Sequence, residues 1–502
     1  MRHQRHFAAR PHPCAPPSSA NRFTTVHLPL ATERCPDCRH PRMQNPQSHV
    51  MSPVSVPSLD GLYAAHVNPQ WVKLLHTLQM NVTYERCAGS ELFAADGRRF
   101  LDFLSGYCVH NAGHNHPAII AALTEELGRS GPGMLQSHVP QLAAQLAERL
   151  VGLAGGRLQR VFFTSSGSEG VETAIKFARA HTRRDGLLYA NGAFHGLTCG
   201  ALSLMSDPFW TEGFGPMLPG TQGVDFGDLD ALERHLATRQ FAAFIVEPVQ
   251  SEAGIRVPDE HYLPAVQELC RRHGTLFVLD EVQTGMYRTG PFLAAHHFHV
   301  EPDMVILAKA MSGGFIPVGA VLMSRAVSDS VFSSLKRSIV HASTFGENSL
   351  AMRAGLATLD VLQQEDLGER GAQMGARLRQ QLTEALAPYE MVHAVRGLGM
   401  LSGIEFTTPR SLPLRLAFES FRRIHPAMFG QILVMRLFGE RGILTQICGN
   451  NFMVLKVAPP LVVADAQLDE FVEAIRDVVH LMHHSPTFWS EALGLARRAV
   501  NL

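Results

Sequence analysis

The most constraining feature of this chain is a regular alternation of short apolar runs and helical stretches between residues 116 and 310. The runs with strand character are Arg160–Phe163, Gly186–Tyr189, Ala243–Val246, Leu276–Leu279 and Met304–Leu307. The intervening stretches with helical character include Gly170–Thr182, Leu229–Thr238 and His261–His273. Since parallel strands need long crossover connections, this alternation predicts an α/β fold with a mostly parallel sheet flanked by helices.

Composition and pattern divide the chain into five intervals. The first is rich in Pro, Arg, His and Ser, which predicts a disordered tail without the apolar core of a signal peptide. A transit peptide, or a translation start at Met43 or Met51, are the alternatives there. The intervals are a tail (1–55), a segment that joins a small domain (56–115), a large domain (116–385), a small α+β domain (386–485) and a C-terminal tail (486–502).

Bulk properties argue against several classes of protein. The 502 residues carry a formal net charge of −1 and lack the basic stripe of a nucleic-acid binder. The apolar runs are too short to cross a bilayer. Cys35 and Cys38 have the spacing of half a zinc site, but no second pair follows, so we expect no metal centre. A cytoplasmic protein acting on small molecules is therefore expected.

Two charged residues directly follow predicted buried strands. Burial would lower the pKa of Lys309 and suit its amine to form a Schiff base, although a lysine can also extend to the surface. Asp280 ends another strand, and ligands of parallel sheets gather at the carboxyl ends of strands. A carboxylate there could bind a metal, a ribose or a ring nitrogen. Lys309 after a further strand favours the pyridinium nitrogen of pyridoxal phosphate.

Three further motifs lie near predicted strand ends or turns. Residues 165–169 (Ser-Ser-Gly-Ser-Glu) begin a helix, where free N–H groups suit a phosphate but also serve ordinary capping. Phe194 offers a ring that could stack on a cofactor or only pack in the core. Glu247 and Glu252 follow the next strand, and Arg396 lies in a glycine-flanked turn that suits a carboxylate.

Read in this order, the motifs resemble the class III (ω-amino) aminotransferases, the group of ornithine-, acetylornithine- and putrescine-aminotransferase-like enzymes. The resemblance runs from about Leu62 to Leu481 and includes residues 96–102 and 105–114. It implies the pyridoxal-phosphate-dependent transferase fold type I, with a large domain built on a mostly parallel sheet and a smaller α+β domain. It also implies pyridoxal 5′-phosphate as cofactor and a homodimer with shared active sites.

The resemblance implies roles at matching positions. Lys309 would form the internal aldimine and shuttle a proton, and Asp280 would hold the pyridinium nitrogen. The other implied cofactor-binding residues are Gly167, Ser168, Phe194, His195, Glu247, Val282, Gln283 and Thr344, the last reaching the phosphate of the neighbouring subunit. The implied substrate-binding residues are Tyr107, Leu197, Glu252 and Arg396.

The implied reaction transfers a terminal amino group from an ω-amine donor to a 2-oxo acid such as 2-oxoglutarate. Arg396 would hold the acceptor carboxylate, and Glu252 would neutralise Arg396 while the donor is bound; a plain structural ion pair is the alternative. Ornithine, acetylornithine and GABA enzymes usually carry an arginine where this chain has Leu197. Because a donor carboxylate would lack a strong partner there, and Tyr107 offers only a hydroxyl, we expect a diamine or a similar amine.

The segment Thr408–Phe438 is longer than the usual link in this family. We expect it to provide packing or dimer contacts, and a wall for a large apolar, hopanoid-type substrate is the alternative. Two other functions compete with transamination: an aminomutase that needs no second substrate, and a regulatory relative that binds the cofactor without catalysis. The presence of Lys309 and Asp280 argues against the regulatory relative.

Overall fold

The computed structural model describes residues 59–135, 137–424 and 428–500. The predicted tail at residues 1–55, the candidate starts Met43 and Met51 and the Cys35–Cys38 pair all lie outside these ranges. None of the helices in the described ranges has both the length and the apolar character needed to cross a membrane.

Fifteen strands form three sheets in the described part of the chain. They are β1 (Tyr84–Ala88), β2 (Glu91–Ala94), β3 (Arg99–Asp102), β4 (Leu158–Thr164), β5 (Gly186–Ala190), β6 (Thr221–Val224), β7 (Phe241–Val246), β8 (Leu276–Asp280), β9 (Met304–Leu307), β10 (Gly319–Ser324), β11 (Val392–Leu398), β12 (Leu401–Phe406), β13 (Ile443–Leu444), β14 (Gln446–Cys448) and β15 (Asn451–Val457).

The central sheet has seven strands in the order β4-β10-β9-β8-β7-β5-β6. Strands β9, β8, β7, β5 and β6 are parallel, and β10 runs antiparallel to both of its neighbours. β8, β9 and β10 are buried along their whole length, as expected for strands covered on both faces. Each predicted apolar run lies within a strand of this sheet. The predicted α/β fold class is confirmed.

The helices lie between and around the strands. They are α1 (Leu59–His66), α2 (Pro69–Thr77), α3 (Ser105–Cys108), α4 (Pro117–Gly128), α5 (Gln141–Ala154), α6 (Gly167–Thr182), α7 (Cys199–Leu202), α8 (Pro208–Thr211), α9 (Leu229–Ala237), α10 (Tyr262–His273), α11 (Arg325–Val331), α12 (Ser349–Gln364), α13 (Leu367–Leu386), α14 (Leu412–Ile424), α15 (Phe429–Arg441), α16 (Asp465–His484) and α17 (Pro486–Val500). Helix α6 packs against β7 to β10, and its N terminus lies beside the carboxyl ends of the parallel strands β7, β8 and β9 and the segment that precedes β10.

Two smaller four-stranded sheets complete the fold. One is antiparallel in the order β11-β12-β15-β14, and α13 packs on β11 and β12. The other joins the hairpin β2–β3, whose turn contains Asp96 and Gly97, to β13 from the C-terminal half of the chain. Gly97 has a φ of +86°, the left-handed conformation that such a turn requires.

The C-terminal interval 486–502 differs from the expected tail, because α17 occupies most of it. Phe488 and Trp489 are buried, and α17 packs against α14 of the long segment Thr408–Phe438. The Trp489 ring also stacks on Phe429 of α15. The aromatic residues of the long segment therefore supply packing, and α17 folds because it covers them. The other interval bounds stay a prediction.

Candidate active site

A cavity of about 460 Å³ lies at the carboxyl ends of the parallel strands. Its walls come from the segments that follow β4, β5, β7, β8 and β9, together with the turn before β10. The predicted residues that line it are Gly167, Ser168, Phe194, His195, Glu247, Asp280, Val282, Gln283 and Lys309. The fold thus brings together residues that are separated by more than a hundred positions in the chain.

Lys309 follows β9 and begins a short 3-10 turn that ends at Ser312. Its backbone is left-handed, with a φ of +45°, a conformation that a residue with a side chain rarely adopts outside functional sites. Burial lowers the pKa of its ammonium group, and the charge of Asp280 opposes that shift. Lys309 can therefore supply a neutral amine more readily than an exposed lysine.

Asp280 ends β8 and is fixed by two contacts. Its Oδ2 lies 2.8 Å from Nδ1 of His195, and its Oδ1 accepts a hydrogen bond of 3.1 Å from the backbone N–H of Val282. Burial disfavours the charged imidazole, but the hydrogen bond and charge of Asp280 raise the pKa of His195 overall. The Nε2 of His195 is buried and has no partner among the described residues. Asp280 is therefore an oriented carboxylate at the floor of the cavity.

Glu247, at the end of β7, lies close to the same pair. Its carboxylate accepts hydrogen bonds from the backbone N–H of Phe194 (3.0 Å) and of Ser251 (3.1 Å). Burial raises the pKa of Glu247 to about 7, against the opposing charge of His195. Glu247 therefore holds the segment that carries Phe194, and burial favours its neutral form.

The N terminus of α6 forms one wall of the cavity. Ser166 caps the helix by accepting a hydrogen bond from the N–H of Glu169 (3.2 Å), and Glu169 accepts one from the N–H of Ser165 (2.8 Å). Gly196, with a φ of +116°, approaches Ser168 so closely that no Cβ would fit. An open helix N terminus can bind an anion such as a phosphate.

These groups fit pyridoxal phosphate. A lysine amine, an oriented carboxylate, an aromatic ring and a helix N terminus surround one cavity large enough for a cofactor of that size. Phe194 lines this cavity, and its ring meets Trp210 edge to face with the ring centroids 5.1 Å apart. Val282 also lines the cavity and packs against Gly167. The individual roles of these residues stay predictions.

Glu252 does not contact Arg396, so the plain structural ion pair considered as the alternative is not formed; neutralisation of Arg396 by Glu252 with a donor bound stays a prediction. Its Oε1 contacts Nζ of Lys456 and accepts a hydrogen bond of 3.0 Å from Nε2 of Gln283, while Oε2 accepts one of 2.8 Å from the N–H of Gly449. Burial alone would raise the pKa of Glu252, but Lys456 lowers it overall. The cause is the register of β15, which points Lys456 at Glu252.

Arg396 has a different set of partners. Its Nη1 contacts Glu405 of β12, its Nε donates to the carbonyl oxygens of Gly254 (2.9 Å) and Ile255 (3.1 Å), and its Nη2 donates to that of Gly254 (2.7 Å). The side chain is 26% exposed. Arg396 is thus held in place by the loop that carries Glu252, without contacting its carboxylate.

The remaining predicted residues lie outside the cavity wall. Tyr107 is partly exposed in the left-handed turn α3, and Leu197, directly after Gly196, is 56% exposed. Thr344 is exposed and lines a separate surface cleft with Phe163 and other residues, away from Lys309. The single chain therefore does not bring Thr344 to the cofactor site.

Lys456, Glu405 and Trp210 were not singled out from the sequence. The signal for Lys456 is a lone lysine within the apolar strand Asn451–Val457, which is a costly residue to bury without a partner. Glu405 likewise interrupts an apolar strand. Trp210, whose Nε1 donates to Oδ1 of Asn450 (2.6 Å), gave no comparable signal.

Residues 75–479 match the family described as aminotransferase class-III. The chain is 35% identical over 461 residues to a putrescine aminotransferase from Pectobacterium atrosepticum, covering 88% of this chain and 94% of that protein. It is 35% identical over 447 residues to the aminotransferase PigE from a Serratia strain. That match covers 83% of this chain but 52% of PigE, so the chain spans about half the length of that relative.

The fold also matches solved structures. An ornithine aminotransferase from Toxoplasma gondii, with pyridoxal phosphate at partial occupancy in its active site, superposes with a TM-score of 0.71 at 30% sequence identity. The superposition covers 80% of this chain and 90% of that one.

Proposed function

The chain belongs to the class III aminotransferases, which are pyridoxal-phosphate-dependent transaminases, and we propose that it transfers a terminal amino group from an ω-amine donor to a 2-oxo acid such as 2-oxoglutarate. The observation that carries this proposal is the meeting of Lys309, Asp280 and the N terminus of α6 around one cavity. Similarity to a putrescine aminotransferase and to an ornithine aminotransferase supports a terminal amine as donor.

Each part of the cavity has a task in this proposal. Pyridoxal phosphate, when bound, supplies an aldehyde that takes up the amino group and a ring that accepts electrons from the substrate carbon. Lys309 would hold the cofactor through its amine and, with its lowered pKa, move the proton at the substrate carbon. Asp280, oriented by His195, would keep a proton on the ring nitrogen, and Gly167 and Ser168 would bind the phosphate.

The donor we propose lacks a distal carboxylate, as a diamine such as putrescine does. Leu197 stands exposed at the position where an arginine would hold such a carboxylate. Tyr107 offers only a hydroxyl, and burial raises its pKa, so it stays neutral at physiological pH. A donor carboxylate placed there would gain no cationic partner. An ornithine-like donor is the weaker alternative.

The acceptor carboxylate would bind Arg396, and the active unit would be a homodimer. Arg396 has five N–H donors and uses three of them in its contacts with Glu405, Gly254 and Ile255, which leaves two for a substrate. Thr344 lies on a cleft outside its own site, so Thr344 of one subunit would reach the cofactor phosphate of the other.

A large apolar substrate is not favoured. The aromatic side chains of α14 and α15, such as Phe418 and Phe429, are buried against Trp489 and do not line the cavity. An aminomutase would need no second substrate, so dependence on a 2-oxo acid separates it from the proposed transaminase.

The test is the absorbance spectrum of the purified protein with pyridoxal phosphate, followed by separate additions of putrescine, ornithine, acetylornithine and GABA. We expect the visible cofactor band to disappear fastest with putrescine and to return when 2-oxoglutarate is added. The variant Leu197→Arg is the matched control, and it should shift the preference toward GABA and acetylornithine. Preference of the native protein for the carboxylate-bearing donors would contradict the donor class. Absence of any visible band would contradict the function.

A further inference from the structure

Arg288 is a buried arginine with no assigned role, in the segment that follows β8 and the cavity residues Gln283 and Thr284. Its side chain is 0% exposed, and burial lowers the pKa of its guanidinium. Its hydrogen-bond partners in the described ranges are all neutral groups, without a carboxylate among them. A cation removed from water without an opposite charge is costly, so these hydrogen bonds must compensate for the lost hydration.

The five N–H groups of Arg288 reach three separate segments of the chain. Nε donates to Oδ1 of Asn111 (3.1 Å), and Nη2 donates to the same oxygen and to Oγ of Ser105 (3.2 Å). Nη1 donates to the carbonyl oxygens of Met400 (3.2 Å), in the turn between β11 and β12, and of Pro459 (2.6 Å), after β15. A lysine carries its N–H groups on one nitrogen atom and could not reach all three segments.

The segment that carries Ser105 and Asn111 starts with an unfavourable backbone conformation. Residues 105–108, which form α3, all have positive φ angles, between +46° and +69°. This left-handed conformation is costly at each of the three residues that carry a Cβ. Asp102 supports the turn by accepting a hydrogen bond from the N–H of Ser105 (2.7 Å), and Arg288 supports it through Oγ of the same residue.

The left-handed turn places its side chains and those that follow it beside the cavity. Val109 lines the cavity directly. The ring of His110 lies so close to Gly314, another cavity residue, that a Cβ there would be 2.4 Å from its Cε1. The ring centre of Tyr107 lies 5.2 Å from Nζ of Lys456. A displaced turn would therefore move part of the wall that a substrate meets.

The acceptor side of the site is held independently of Arg288. The hydrogen-bond partners of Arg396 are Glu405, Gly254 and Ile255. None of these three residues is a hydrogen-bond partner of Arg288. Loss of the Arg288 fork should therefore affect donor and acceptor differently.

We propose that Arg288 is a positioning residue that holds the left-handed turn α3 against the cavity, so that Tyr107 stands where it contacts the amine donor. The proposal rests on the proposed function, because that function places the donor beside Tyr107 and Leu197. Arg288 does not line the cavity and acts through the turn. Without its hydrogen bonds, residues 105–108 would relax toward right-handed conformations, and the site would bind the donor more weakly.

The test follows the donor half-reaction of the holoenzyme through the loss of its visible cofactor band as the putrescine concentration is varied. Arg288→Lys keeps the charge but loses the planar fork. We expect the half-saturating putrescine concentration to rise about tenfold, since two or more hydrogen bonds to the turn are lost. The limiting rate should change by less than about threefold. An unchanged half-saturating concentration would overturn the proposal.

The acceptor half-reaction is the internal comparison. Return of the visible band with 2-oxoglutarate should keep its half-saturating concentration within about threefold in Arg288→Lys, because Arg396 keeps its partners. Equal weakening of the two half-reactions would assign Arg288 to the general integrity of the fold and would overturn the proposal.

A double-mutant cycle with Tyr107→Ala tests whether Arg288 acts through the turn. In the Tyr107→Ala background, Arg288→Lys should change the half-saturating putrescine concentration by less than about threefold. A full tenfold effect in that background would overturn the proposal, because Arg288 would then act by another route.

Arg379→Lys is the matched control. Arg379 is partly buried and donates to the carbonyl oxygen of Gly399 and to Oγ of Ser402, around the same turn between β11 and β12 that Arg288 contacts. It has no hydrogen bond to Ser105 or Asn111, so both half-reactions should stay within about twofold of native. A shift as large as that of Arg288→Lys would assign the effect to the β11–β12 turn and overturn the proposal.

A second variant keeps the test valid if Arg288→Lys does not fold. Ser105→Ala removes the hydroxyl that accepts from Arg288 and donates to the carbonyl oxygen of Ala458 (2.7 Å). It should raise the half-saturating putrescine concentration about threefold, and an unchanged value would overturn the proposal.

Amide hydrogen exchange measures the turn without any turnover. The N–H groups of Val109 and His110 donate to the carbonyl oxygen of Ser105 (2.8 and 3.0 Å), and in Arg288→Lys or Ser105→Ala they should exchange at least about tenfold faster. Unchanged exchange would overturn the proposal. A native protein whose visible band no amine removes would refute the proposed function instead, so the two failures are distinguishable.

Discussion

Buried charged residues lie at the edge of the central sheet and on one face of the antiparallel sheet. The two groups differ in the partners that compensate their charges. At the central edge, the imidazole of His195 contacts Asp280, and its charge also acts on Glu247, which makes no ion pair of its own among the described residues. On the antiparallel face, each cation has its own carboxylate, as Lys456 has Glu252. Burial without a close opposite charge favours the neutral form of a carboxyl group, whereas a paired carboxylate keeps its charge.

The pKa shifts follow this difference. Burial raises the pKa of Glu247 to about 7, and burial also lowers the pKa of Lys309, so in both groups the neutral form is favoured. On the antiparallel face the pKa of Glu252 is lowered and that of Lys456 is raised, so both stay charged. The first region is suited to moving protons and the second to recognising a constant charge.

The largest loss of activity is expected from removing the Lys309 amine at the edge of the central sheet. Lys309→Ala should reduce turnover by at least about a thousandfold, because the covalent hold on the cofactor and the proton-transferring group are lost together. Two measurements test this prediction: the loss of the visible cofactor band and the rate of turnover with putrescine and 2-oxoglutarate. The control is Lys336→Ala, an exposed lysine in a turn. A Lys309→Ala protein that still turned over would place the proton-moving group elsewhere.

A smaller effect is expected from Glu247, whose raised pKa should make the stability of the fold depend on pH. Folded Glu247 keeps its proton up to about pH 7, whereas the ordinary pKa of 4.5 applies in the unfolded chain. The folded state binds the extra proton in this window, so the contribution of Glu247 to stability falls as pH rises from 4.5 to about 7, by on the order of 3 kcal/mol.

Comparing the native protein with Glu247→Gln isolates this contribution. Denaturation midpoints across the window should show the native protein losing stability relative to the variant as pH rises. The hydrogen bond that glutamine cannot accept adds a constant offset that does not vary with pH. The exposed Glu260→Gln is the control, and its difference from native should be flat. A flat difference for Glu247→Gln would mean that Glu247 is ionised throughout, like Glu252.

The smallest effect is expected at the contact that joins the two regions. Trp210 touches Phe194 of the central edge and donates to Asn450 of the turn between β14 and β15. Trp210→Phe keeps an aromatic ring but removes that donor, which should cost about 1 kcal/mol of stability. Chemical denaturation measures it, with the exposed Trp71→Phe as the control. An unchanged midpoint would show that the two regions are joined without this hydrogen bond.

The sequence predicted the central edge of the sheet well, because its signals are local. An apolar run before Asp280, and another before Lys309, predicts a buried strand in each case. It also predicts that the charged group lies at the carboxyl end of that strand. The same holds for residues 165–169, where helix capping and a turn follow from neighbouring side chains. A parallel sheet then brings all strand ends to one edge, so the cluster at the cavity follows from the order of elements alone.

The partners on the antiparallel face were decided only by tertiary structure. Glu252 and Lys456 are 204 positions apart, and a shift of one residue in the register of β15 would turn Lys456 to the opposite face. The packing of α17 against α14, which buries Phe488 and Trp489, likewise depends on residues far apart in the chain. Amino-acid type and local spacing determined which groups stand at the strand ends. Register and long-range packing decided which charges meet, because an ion pair depends on distances that no local pattern fixes.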